Sequence, residues 1–173
     1  TFGRADIEPL ARATQMPEAF ATGNTARSDD ISDAASAAVV GWRNAGHPLA
    51  QTDGQTITAR HDDEKLDVAI VIAPGPELRF GNVVVTGNGA VRTDRVRAIA
   101  GLPTGTFDPD AIVRAEANLR RTGAFTAAAL IEGDAAVGST LPMTIAVVEQ
   151  TSRGIGAGVE YSTVSGLTLS GYW

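Results

Sequence analysis

Trp42-Arg43-Asn44-Ala45-Gly46 closes one amphipathic run, and Leu119-Arg120-Arg121-Thr122-Gly123 closes another 77 residues later. The same spacing carries Leu66, Val68 and Ile70 onto Met143, Ile145 and Val147, with alternate positions apolar in both sets. Phe2-Gly3 is answered by Phe80-Gly81 at a spacing of 78. An offset held across a helix-like segment and a strand-like segment predicts two copies of one small module, filling residues 1 to about 150. Repeated modules of this kind characteristically offer surfaces for binding.

Upstream of Gly46, Ile31, Ala34, Ala35, Ala38, Val39 and Trp42 fall at three- and four-residue steps, which predicts a helix from about Ile31 to Asn44. Ser28-Asp29-Asp30 places oxygens and negative charge where a helix start has free N–H groups, Gly46 suits a left-handed cap, and Pro48 prevents resumption. A shorter helix is expected over Pro9 to Thr14. Before the first helix a strand is expected over Phe2 to Ile7. After Gly46, strands are expected over Thr56 to Arg60 and Lys65 to Ile72, joined by the acidic turn Asp62-Asp63-Glu64. Pro74-Gly75-Pro76 marks the boundary, because proline donates nothing to a ladder.

The second copy follows the same plan. Arg79 to Thr86 predicts a strand closed by Gly87-Asn88-Gly89. Thr93 is placed to cap a helix over Asp94 to Ala100, with Gly101 at its end. Asp108-Pro109 starts a further helix, and Gly123 stops it. Glu116 interrupts that helix's apolar stripe of Ile112, Ala115 and Leu119. Strands are expected over Phe125 to Glu132 and Leu141 to Glu149. Each module therefore reads strand, helix, helix, strand, strand, an α+β unit with two helices on one face of a three-stranded sheet. The expected domains are 1–76, 77–150 and a different third part, 151–173.

In that third part Ile155, Ala157, Val159 and Tyr161 alternate with Gly154, Gly156, Gly158 and Glu160. A second alternation begins at Leu167. Strict alternation with small residues on one face fits a transmembrane β-strand, and it equally fits a soluble amphipathic hairpin. Two strands do not close a barrel. The chain opens inside a strand-like segment and stops in mid-pattern at Gly171-Tyr172-Trp173, which reads as a piece of a longer protein.

Composition narrows the function classes. The 173 residues are 43% hydrophobic and 20% charged, as expected of a globular protein. A net charge of −6 argues against nucleic-acid binding, which calls for a basic stripe. The absence of cysteine excludes disulfides, thiolate metal sites and cysteine nucleophiles, and fits cytosol and periplasm alike. No run of about 20 apolar residues exists to form a spanning helix.

Nor does any motif read as a catalyst. Gly154-Ile155-Gly156-Ala157-Gly158 lacks the lysine and hydroxyl pair of a phosphate loop. His61 precedes Asp62-Asp63-Glu64, but four consecutive turn residues seldom converge on one ion. His47 sits at a helix stop beside Pro48. Asp29, Asp30, Asp108 and Asp110 are explained by helix starts; Asp33, which invites a cation reading beside the first two, falls within the helix. No cofactor or metal is expected, and the chain reads as a non-enzyme.

The residues resemble a known family. Phe80-Gly81-Asn82-Val83-x-Val85-x-Gly87-Asn88, Ala100-Gly101-Leu102-Pro103-x-Gly105, Leu119-Arg120-x-x-Gly123-x-Phe125 and Val147-x-Glu149 are similar to the POTRA domains of the Omp85 superfamily of outer-membrane proteins. Trp42-Arg43-x-x-Gly46-His47-Pro48 and Gly156-x-Gly158-x-x-Tyr161-Ser162-Thr163-x-x-Gly166 most resemble its TamA branch. Asp6 and Glu8 depart from the pattern, which has valines there.

The resemblance implies two tandem POTRA domains followed by the first strand of an outer-membrane barrel, with Gly154, Gly156, Gly158 and Tyr161 on that strand. It implies a periplasmic setting, contact with membrane lipid through the barrel, outer-membrane or autotransporter clients, and an inner-membrane partner resembling TamB. It also implies that the second strand of each sheet is an edge. The candidate client-pairing edge is Phe125, Ala127, Ala129 and Ile131, where little charge blocks strand addition. Two alternatives stay open: another Omp85 member, for general barrel assembly or two-partner secretion, and a soluble POTRA-type interaction module without a barrel.

Overall fold

A computed structural model describes residues 1–150 and, as backbone, 156–162 and 166–172. The first unit runs β1 (Phe2–Glu8), α1 (Ser28–Asn44), β2 (Gln51–Arg60) and β3 (Lys65–Ala73). The second runs β4 (Arg79–Thr86), α2 (Thr93–Ala100), α3 (Pro109–Arg121), β5 (Phe125–Glu132) and β6 (Thr140–Glu149). Beyond them, β7 (Gly156–Ser162) pairs antiparallel with β8 (Gly166–Tyr172).

The two larger sheets have the orders β1-β3-β2 and β4-β6-β5. In each, the last strand lies in the middle, pairing parallel with the first and antiparallel with the second. The middle strands are the most apolar. Val68, Ile70 and Ile72 of β3, and Leu141, Met143, Ile145 and Val147 of β6, are all buried. Removing side chains of this kind from water contributes roughly 1.5–3 kcal/mol each. The parallel pairing is the reason for the helices: a chain that returns in the same direction needs a long crossover, which lies over one face of the sheet.

The units differ in that crossover. Among the described residues the first has one helix, so the second helix expected over Pro9 to Thr14 is absent. Pro9 and Pro17 remove two N–H groups from the segment, which folds as successive turns. The turns still cover the sheet. Phe20 packs edge-on against Phe2 with ring centroids 5.3 Å apart. Phe2 N–H donates to Asn24 O, and Gly23 N–H donates to Phe2 O, both at 2.8 Å.

Register corrects the sequence alignment of the opening strands. Ala5 lies opposite Val68, and Val85 lies opposite Ile145, so these two are equivalent and 80 residues apart. Phe2 lies opposite Leu66, but Phe80 lies opposite Leu141. The matched Phe-Gly pairs therefore sit on different rungs, each beside its own bulge. The valine expectation falls on the wrong residues of β1. Arg4 and Asp6 pair with each other on the face away from the core and are solvated there, while Ala5 and Ile7 face inward.

Helix starts also differ from expectation in two of three cases. Arg27 and Arg92 are the N-cap residues of α1 and α2, and neither makes a side-chain capping bond. Ser28 and Thr93 are instead the first helical residues. Thr93 Oγ1 accepts from Asn88 Nδ2 at 3.2 Å, tying α2 to the preceding turn. Asp108 caps α3 as expected, accepting from Asp110 N–H at 2.9 Å.

Candidate functional site: a strand edge and the junction beside it

β5 is an edge strand because β6, its partner, is flanked on the other side by β4. A bulge between Phe125 and Ala127 changes which way the side chains point. Phe125 turns into the core at 5% exposure, while Ala127, Ala129 and Ile131 lie on the open face of the sheet. The four residues expected to share an edge surface are thus divided, one inward and three outward. Ala128 and Leu130 face α3 and are buried.

The open face around them carries no charge over several rungs. Val84, Thr144 and Ile131 form one row, Thr86, Ala146 and Ala129 the next, and Ala127 lies opposite Val148. Val84, Val148 and Ile131 are about half exposed.

The edge itself is not wholly free. Leu130 N–H donates to Glu116 Oε1 at 3.0 Å. This bond explains the polar residue in the apolar stripe of α3: the carboxylate leans over the edge strand and satisfies an outward donor. Its other oxygen, Oε2, accepts from Arg120 Nη1 at 3.4 Å. Nothing in the sequence gave Glu116 this role, since the partner is a backbone group. The only signal was the misplaced charge.

Glu132, at the end of β5, is held from the other unit. Arg43 Nη2, in the last turn of α1, lies 2.6 Å and 2.8 Å from its two carboxylate oxygens. Arg43 Nη1 donates to Pro48 O at 2.5 Å, and the guanidinium lies 5.3 Å from the Phe107 ring centroid. Planar donors, a carboxylate and an aromatic face suit arginine and not lysine. A backbone bond joins the units as well, Leu78 N–H donating to Gly46 O at 3.0 Å, and the His47 ring holds the linker, its Nδ1 2.8 Å from Gly75 O. Leu49 packs against the core of the second unit. The segment Trp42 to Pro48 is therefore the junction as well as a helix stop.

The β2 edge is built differently. Ile57 lies opposite Val68 on the core-facing side, yet it is 49% exposed. With one helix in its unit, the inner face of β2 is left open, whereas α3 covers Ala128 and Leu130 of β5.

Glu149 closes a third arrangement, at the far end of β6. Its carboxylate accepts from Gly89, Ala90 and Val91 N–H at 2.9, 2.9 and 2.8 Å. Three backbone donors hold the charged form and keep its pKa below the ordinary carboxylate range.

Gly156, Gly158 and Tyr161 lie on β7, opposite Tyr172, Ser170 and Leu167. Gly154 lies outside the described residues. Asp62, Asp63 and Glu64 form the β2–β3 turn, where Asp63 pairs with Arg60 and Lys65 at 3.5 and 3.6 Å. A surface cavity of about 400 Å³ is lined by Ala13, Gln15, Ser36, Ala37, Val40, Gly41 and Asn44, none of them ionisable. No helix among the described residues is long and apolar enough to cross a membrane.

The architecture is that of POTRA domains. A crystal structure of Haemophilus influenzae BamA POTRA3-5 superposes with a TM-score of 0.69 at 17% identity, covering 86% of this chain and 61% of that one. BamA from Haemophilus ducreyi lacking POTRA domains 1-3 gives a TM-score of 0.64 at 14% identity, covering 98% of this chain and 34% of that one. The chain thus spans less than two thirds of either. No protein-family model matches it, and no curated protein does.

Proposed function

We propose that this chain belongs to a non-enzymatic assembly factor of the outer membrane, its two POTRA units receiving extended clients by strand pairing. The observation that carries this reading is the pair of three-stranded sheets, each with its second strand at an edge. β5 adds an uncharged run from Phe125 to Ile131. Backbone pairing binds many sequences, as a factor with varied clients requires.

In the finer form of this proposal the protein is of the TamA type. Its units lie in the periplasm, and β7 is the first strand of a lipid-facing barrel. Its partner is an inner-membrane subunit resembling TamB, and its clients include autotransporters. The Trp42 to Pro48 and Gly156 to Gly166 motifs support that form. The likeness to the two BamA structures favours a second reading, a general barrel-assembly protein of the same superfamily.

Site-specific photocrosslinking in the full-length protein during client assembly tests the shared core of both readings. Probes at Ala127, Ala129 and Ile131 should capture clients well above a probe at Val113, which is 61% exposed on α3. Equal capture at all four positions would refute edge pairing.

A further inference from the structure

We propose that Glu116 is an internal competitor for the β5 edge, so that a client strand gains access by displacing its carboxylate from Leu130. This inference rests on the edge-pairing reading above.

Outward groups recur on every second residue of an edge strand in an antiparallel ladder, so Ala128 and Glu132 share the outward orientation of Leu130. A strand adding to β5 therefore uses the Leu130 N–H as its central anchor. Glu116 Oε1 already accepts from that N–H at 3.0 Å. The two acceptors are mutually exclusive at this position. Glu116 is one of the few charged groups along this edge, and it is supplied by the helix above and not by the strand.

The contact fits a reversible stopper. The Glu116 side chain is 25% exposed, and its Arg120 partner is 53% exposed, so water can take over both when the carboxylate swings away. A glutamate has the reach and the rotamer freedom to do so, unlike a covering loop. A free edge strand invites pairing with the wrong chain, and a charged residue beside it is a standard protection. Here the protection is removable. It sets a threshold that a weakly pairing segment fails and a long extended client passes.

The test uses the full chain in detergent and a fluorescent ten-residue peptide alternating valine and threonine. The same peptide, N-methylated on every residue so that neither of its edges can donate, is the control that cannot pair. Binding is read by fluorescence anisotropy, and edge occupancy by amide exchange at Ala128, Leu130 and Glu132. In E116A, the Leu130 amide should exchange faster without peptide, and the peptide should bind about tenfold tighter than to wild type. E116Q, which keeps a neutral acceptor, should fall between them. Alanine holds a helix better than glutamate, so the variant keeps α3.

Equal affinity for wild type and E116A, with the three amides protected by peptide in both, would overturn the competitor role and leave edge pairing standing. No protection of these amides in any variant would overturn edge pairing, and this inference with it.

Discussion

At the scale of single residues, the chain relies on carboxylates that answer backbone N–H groups. Glu149 is the strongest case, with three donors from the loop that links β4 to α2. Its pKa is lowered by the Val91, Ala90 and Gly89 N–H groups. A lowered native pKa means that the unfolded chain binds its proton first as pH falls. The stabilisation is therefore complete above the ordinary carboxylate range and disappears as pH drops through the lowered value. Glu149→Gln should melt below wild type at pH 7, and the gap should close on acidification. A gap that stays constant from neutral to acid pH would show that the charge is immaterial. Gly87 answers a different constraint in the same loop. Its φ is +82°, and a Cβ there would lie 2.0 Å from Val147 O. Gly87→Ala should cost about 1–3 kcal/mol for the backbone conformation alone, read by denaturant unfolding.

At the scale of elements, α3 combines a strong start, a buried stripe and one diverted side chain. Asp108 accepts from Asp110 N–H, and its pKa is lowered, chiefly by Arg114 at 2.8 Å. Asp108→Ala should cost about 1 kcal/mol, measured by chemical denaturation. A loss well below that would mean that Pro109 alone sets the start. The bounds of this element were legible because Asp-Pro and Gly act through local chemistry, and the β5 bounds were legible from the turns on either side. The interruption at Glu116 was visible but unexplained, because its partner is 14 residues away on a strand edge. The first unit was less legible. Residues 9 to 14 look weakly helical, but Pro9, Pro17 and the aromatic contact between Phe20 and Phe2 favour a covering loop from there to α1. The bulges in β1 and β4 fall at Gly3 and Gly81, a glycine signal that went unread, whereas the bulge in β5 has none; each shifts which residues share a face. That is why Phe125 entered the core while its expected companions did not.

At the scale of the whole molecule, the question is how rigidly the two units are joined. Each has a modest core, and a unit of this size gains from support by its neighbour. The junction supplies that support through groups that neither unit satisfies alone. Arg43 reaches Glu132 of β5, the Pro48 carbonyl and the face of Phe107 together. Both partners of the ion pair are 28% exposed, which shields it from salt better than a surface pair. Its placement links the end of β5 to the helix of the preceding unit, so bending at the junction would pull on Glu132. Arg43→Ala and Glu132→Ala should therefore be non-additive, with a coupling of about 1 kcal/mol or more in a double-mutant cycle. Arg43→Lys should recover only part of it, because lysine lacks the planar fork. Small-angle scattering gives an independent reading: Arg43→Ala should enlarge the radius of gyration while circular dichroism stays unchanged. Additive losses with unchanged scattering would assign the rigidity instead to the Leu78–Gly46 hydrogen bond and Leu49, and would separate the β5 edge mechanically from the unit before it.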